Sequence, residues 1–153
     1  VTVSDSDRER ITSEEVITFD DYVDDFQGSF EFDFVDPENL TSKEKAVFNK
    51  TEEILNLVGW QSGRPSVRIS ETMRQESDSS TGRLVLHNAA GCWSELNGII
   101  IKRSQLVSLS AYASVLLHES AHASSGATDA TRDFENELTR YLGRTAKAAI
   151  DDE

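Results

Sequence analysis

Between Ser104 and Leu117 the chain carries no charged side chain, and Leu106, Val107, Leu109, Tyr112, Val115, Leu116 and Leu117 spread apolar character over nearly every face of a helix built on this stretch. A helix without a polar side cannot rest on a surface, so this one, read over about residues 104–124 with Gly126 as its terminal cap, is expected to be the buried centre of its domain. It runs straight into His118-Glu119-Ser120-Ala121-His122. Histidines at i and i+4 are neighbours on one helical face, so their imidazoles can converge on a single metal ion. Glu119 stands about 100° round the helix. It can therefore sit beside a metal without ligating it and take a proton from an activated water.

The rest of the sequence supplies the walls. Residues 1–15 are polar and aperiodic and read as a linker or frayed tail, which leaves 16–153 as a single domain, long enough for one core. Phe30, Phe32 and Phe34 alternate with acidic residues as a half-buried strand does. Thr41 with Glu44 opens a helix that ends near Gly59. Val67–Met73, residues 84–87 and Ile99–Ile101 are β-type runs, and a last helix is expected over residues 129–150. Its cap is Thr128 or Asp129, and its inner stripe is Phe134, Leu138, Tyr141 and Leu142.

Composition removes several classes of function. Formal net charge is −13, from 28 acidic against 15 basic residues, so a nucleic-acid backbone would be repelled. No apolar run reaches membrane-spanning length and no signal pattern opens the chain, which sets the expectation of a cytoplasmic protein with no membrane partner. The single cysteine, Cys92, reads as a small buried hydrophobe. Asp20, Asp21, Asp24 and Asp25 lack the spacing of an EF-hand loop and read as a solvated acidic segment. The chain opens on Val, so it reads as a piece of a larger protein.

Two histidines on a catalytic metal normally take a third protein ligand and leave one position for water. Asp129, Glu135 and Glu137 follow His122 and are the candidates. Glu135 shares a helical face with Leu138, Leu142 and Ala146, whereas Glu137 falls at the opposite border of the apolar stripe. The residues 118–122 resemble the HExxH element of zincin metallopeptidases. Residues 122–129, HASSGATD, resemble the metzincin return loop with the spacing off by one, and loosely the GTxD element of aspzincins. Residues 134–142, FENELTRYL, resemble the ExxA(D/N)xF segment of CAAX-protease-like and ImmA-like zinc peptidases, with Thr139 in place of the usual acidic or Asn residue. In that gluzincin-like register the resemblance implies Glu135 as the zinc ligand. Residues 91–143 as a whole look like a zincin-like domain associated with the C-terminal part of bacterial Hsp90-like (GHKL) ATP-binding proteins.

These readings converge on an α+β domain, a small zincin-like twisted sheet with a buried HExxH helix and a following C-terminal helix. The resemblance implies zinc on His118, His122 and Glu135, with Glu119 as general base in hydrolysis of a peptide or protein substrate. The alternative is a metal-stabilised interaction or regulatory domain of a larger protein with a linked ATPase domain. A zincin binds peptide along an edge strand, for which residues 86–93 are expected, with His87 beside the site. Tyr112 and Tyr141 are candidate oxyanion donors, although both lie on apolar stripes that suit core packing.

Overall fold

A serine decides where the central helix begins. Ser108 is extended (φ −152°) and its hydroxyl accepts the Ala111 N–H, so residues Arg103–Val107 form a separate 3-10 turn and the α-helix runs over Leu109–Ser125. The expected helix over 104–124 is thus shorter at its start, because a capping serine offers the backbone a better partner than continuation does.

In this computed structural model residues 30–60, 63–75 and 89–151 are described. Nearly all belong to one unit, Phe32–Met73 with Asn88–Glu153. The expected tail over 1–15, the acidic segment 20–25, the run 84–87 and His87 lie outside the described residues. The elements are β1 (Phe30–Val35), α1 (Ser42–Phe48), α2 (Thr51–Leu57), β2 (Val67–Gln75), β3 (Gly91–Ser94), β4 (Gly98–Lys102), α3 (Leu109–Ser125) and α4 (Arg132–Asp151). The fold is α+β. Among the described residues no helix is long and apolar enough to cross a membrane.

The sheet is mixed, with strand order β1-β2-β4-β3. Parallel β2 and β4 set Ile69 against Ile101, and antiparallel β3 and β4 set Gly91 against Ile101 and Trp93 against Ile99. Since successive strand residues alternate in direction, Ile69, Ile99, Ile101, Gly91 and Trp93 share one face. On that face Ile69, Ile99 and Ile101 pack with Tyr112 and Leu116 of α3, all essentially buried. The far side of α3 presents Ala121 to Val58, Phe134 and Tyr141. Helix α3 is thereby held between the sheet and α4, but not buried all round as expected: Leu109, Ser110 and Ser114 are exposed, and Val107 stands out of the core in the preceding turn.

Two phenols cross this core and both are satisfied, which avoids the cost of about 1 to 3 kcal/mol for a stranded buried polar group. The Tyr112 hydroxyl shares a hydrogen bond with Thr51 Oγ1 at 2.6 Å; Tyr141 receives the Trp60 indole N–H at 2.9 Å and donates to the Ser120 carbonyl at 3.2 Å. Both expected oxyanion candidates thus serve as core struts.

Three other expectations change. The single helix from Thr41 to Gly59 is two, because the Thr51 hydroxyl donates to the Phe48 carbonyl at the break. The last helix begins at Arg132, where the Thr131 hydroxyl accepts the Phe134 N–H, so Asp129 is not its cap. Leu142, placed on the inner stripe, is 71% exposed, because it stands about 100° round α4 from the buried Tyr141 and so faces away from α3.

Glu44 completes the capping box of α1 with Thr41 and also receives Arg103 through Nε (2.8 Å) and Nη2 (2.9 Å), tying α1 to the turn that leads into α3. The Arg103 guanidinium holds the Glu44 carboxyl well below its usual range, at about 2. A depressed folded-state value stabilises the protein above the ordinary carboxylate pKa and loses that contribution as pH falls towards 2. Glu44→Gln should therefore lower the urea midpoint at pH 7, and the gap to the parent should narrow steadily below pH 5. A gap independent of pH would show that the carboxylate charge is not what matters.

Candidate metal centre

The site is assembled from one helix and the loop that follows it. On α3, His118 and His122 face the same way one turn apart, with Nε2 atoms 3.3 Å from each other. Gly126 then takes the left-handed conformation (φ 64°), which ends the helix and turns the chain back. The Ala127 carbonyl meets His122 Nδ1 at 2.8 Å, so that nitrogen donates and Nε2 is left with its lone pair free. Asp129 follows, and Ala130 holds a left-handed φ of 61°, a conformation that costs a non-glycine residue energy. The loop delivers Asp129 Oδ1 to 3.3 Å from His118 Nε2 and 3.4 Å from His122 Nε2.

These three atoms form a nearly equilateral triangle, the one such His, Cys, Asp or Glu group among the described residues, with all ligand atoms within 4.8 Å. A tetrahedral ion bonded at about 2.0 to 2.1 Å has neighbouring donors about 3.3 to 3.4 Å apart. The observed separations thus match one face of such a tetrahedron. A His₂Asp set with one nitrogen already pinned by a backbone carbonyl suits zinc and other borderline divalent ions.

Phe134, from α4, supports both rings. Its ring stacks on His122 at 4.3 Å and meets His118 edge-on at 5.0 Å. This residue reads in the sequence only as part of an apolar stripe, since nothing local shows that the stripe ends against the histidines. Burial pushes the His118 pKa down, with His122 adding to the effect and Asp129 opposing it, which favours the neutral ligand form.

Glu119 is buried, 7% exposed, and points to the sheet side of α3, where it lines a cleft of about 400 Å³ with Ala90, Gly91, Val115 and His118. Burial first, and then the Asp129 carboxylate, push its pKa up to about 8. His118 is 41% exposed by side chain and is the member of the donor cluster that lines the same cleft. The other expected carboxylates stand elsewhere. Glu135 is exposed on α4 and outside the triangle. Glu137 is engaged by Arg140 and by the Ser124 hydroxyl, which hold its carboxyl down at about 2. Cys92 is buried and its thiol is pushed up to about 12, by burial and then by Glu119, so it stays protonated.

Strand β3 ends the sheet order and borders the cleft. Its Gly91–Trp93 portion falls within the edge segment expected over 86–93; residues 86–88 lie outside the described residues. Gly91 is required by contact, since a Cβ there would lie 2.5 Å from Val115 Cγ1 and 3.1 Å from Glu119 Oε1. Comparison with protein-family models, with curated proteins and with solved structures returned no match to this chain.

Gly91→Ala should destabilise the protein by about 1 to 3 kcal/mol through overpacking. Val115→Ala in the same chain should recover most of that loss, since it removes the methyl group nearest the new carbon. If thermal melts show no recovery in the double variant, close approach is not the reason for glycine.

Proposed function

We propose that this chain is a metal-dependent hydrolase of peptide bonds, with zinc held by His118, His122 and Asp129. The observation that carries the reading is the 3.3 to 3.4 Å triangle of donor atoms, one of which, on His118, lies beside Glu119 in the wall of a cleft. A zinc ion there supplies a Lewis acid that polarises a carbonyl and makes water nucleophilic near neutral pH. The third donor in this proposal is Asp129 in place of the expected Glu135, because the return loop sets Asp129 beside both histidines.

In this proposal the chain's own residues take the remaining steps. Glu119, one position from His118 and facing the cleft, takes the proton of the attacking water and passes it to the departing amine. Its burial makes the neutral and charged forms close in energy near pH 7 to 8, as a group that both accepts and returns a proton requires. Among the described strands β3 ends the sheet, where its backbone donors and acceptors suit an extended peptide, and Gly91 lets β3 itself lie close to Glu119. The Ala127 carbonyl and the Phe134 ring fix the imidazoles before any ligand arrives, so little ordering remains to be done on binding.

A metal-stabilised interaction module is the competing reading. Structural zinc sites are closed by four protein ligands, whereas catalytic ones keep a position open. Three donors among the described residues, a partly exposed His118 and a buried carboxylate alongside favour catalysis.

Zinc titration and a peptide-hydrolysis assay test the assignment together. Asp129→Ala should lower zinc affinity by at least tenfold, while Glu135→Ala leaves it near the parent value. Glu119→Gln should retain zinc and lose hydrolysis by several orders of magnitude. Full activity in Glu119→Gln, or unchanged zinc affinity in Asp129→Ala, would overturn the proposal.

A further inference from the structure

A second cleft lies further along β3 and α3 than the one that Glu119 lines. Along α3, Ala123 lies one turn beyond Glu119 and next to His122; along β3, Trp93 lies two residues beyond Gly91 and on the same face. Trp93 and Ala123 line this second cleft, of about 330 Å³, with Trp60, Pro65, Glu95 and Leu96 among its other walls. One helical turn rises about 5.4 Å and two strand residues span about 6.6 Å, so the two clefts are in step along the groove. A peptide lying along β3 points alternate side chains the same way, which brings the side chain two residues from the reacting bond to this second cleft.

Its chemistry is aromatic and acidic. Two indoles form walls, and Glu95 is an exposed carboxylate with no ion-pair partner among the described residues. Arg64, which lies between the wall residues Gly63 and Pro65, is occupied by Glu52, by Asn56 Oδ1 and by the Trp60 carbonyl. Leu96 stands 95% exposed at the rim, able to cover the alkyl stem of a long side chain. The chain as a whole is at −13, which draws cations towards the groove. Indole faces attract cations, and a carboxylate beside them adds charge recognition.

We propose that this second cleft is a specificity site for a basic side chain, arginine or lysine, two residues from the bond that is cut. This rests on the hydrolase reading only for its position relative to that bond. Recognition of the cation itself depends on Trp60, Trp93 and Glu95.

The chain has two tryptophans and both line the cleft, so intrinsic fluorescence reports on this site alone. The test titrates Glu119→Gln protein with acetyl-Gly-Gly-Arg-Gly-Gly-amide and with the citrulline peptide, which has nearly the same shape without the charge. Arginine should bind on the order of fivefold or more tighter than citrulline, and Glu95→Gln should remove most of that difference. Equal binding of the two peptides overturns the proposal, as does a preference unaffected by both Glu95→Gln and Trp93→Ala. Charge-selective binding with no hydrolysis of any peptide by the parent chain would sink the hydrolase reading and leave this one standing; hydrolysis with no arginine preference would do the reverse.

Discussion

The arrangement depends on the burial of α3. Its uncharged first turns carry two apolar flanks, one covered by the sheet and the other by α2 and α4, and leave only Leu109, Ser110 and Ser114 turned to water. Once Tyr112 and Leu116 are fixed against Ile69, Ile99 and Ile101, the rotation of the helix about its own axis is settled. That rotation sets the direction in which His118, Glu119 and His122 point. A surface helix could roll by tens of degrees for little energy. A helix packed on both sides cannot, because every rotation opens voids in a core packed at crystal-like density.

The same packing explains the division of labour within the pentapeptide. The two histidines emerge at the border of α3, between the core and the return loop, where Phe134 backs them. Glu119 is turned towards β3 and loses most of its water, which moves its carboxyl pKa upward. Ser120 and Ala121 face the interior and touch the elements from α4. One local sequence thus presents two imidazoles, a buried carboxyl and core contacts in three directions. Each direction is useful only because a different neighbour occupies it.

Polar ties then join the walls to that helix. Arg103 clasps Glu44 on α1, the Tyr141 hydroxyl bridges Trp60 and Ser120, and Arg144 reaches the Val58 carbonyl from α4. These contacts link segments far apart in sequence. The capping of α1 by Thr41 is local by contrast, and a local signal of that kind can be recognised without the fold.

That contrast runs through the whole protein. The sequence by itself determined the α+β class, the buried helix, the pairing of His118 with His122 and the separate position of Glu119, because each follows from periodicity within one or two helical turns. Segment ends were less legible: the start of α3 at Leu109 and the break between α1 and α2 turn on single hydroxyls, Ser108 and Thr51, competing with the helical ladder. Helical spacing favoured Glu135 as the third donor, and spacing is blind to a loop. Asp129 reaches the histidines because the left-handed Gly126 turns the chain back, and Glu135 is exposed on α4, which starts three residues beyond Asp129. The need for Gly91 and the Trp-lined end of the groove were decided by tertiary structure for the same reason. They are contacts between a strand and a helix whose distance no sequence period records.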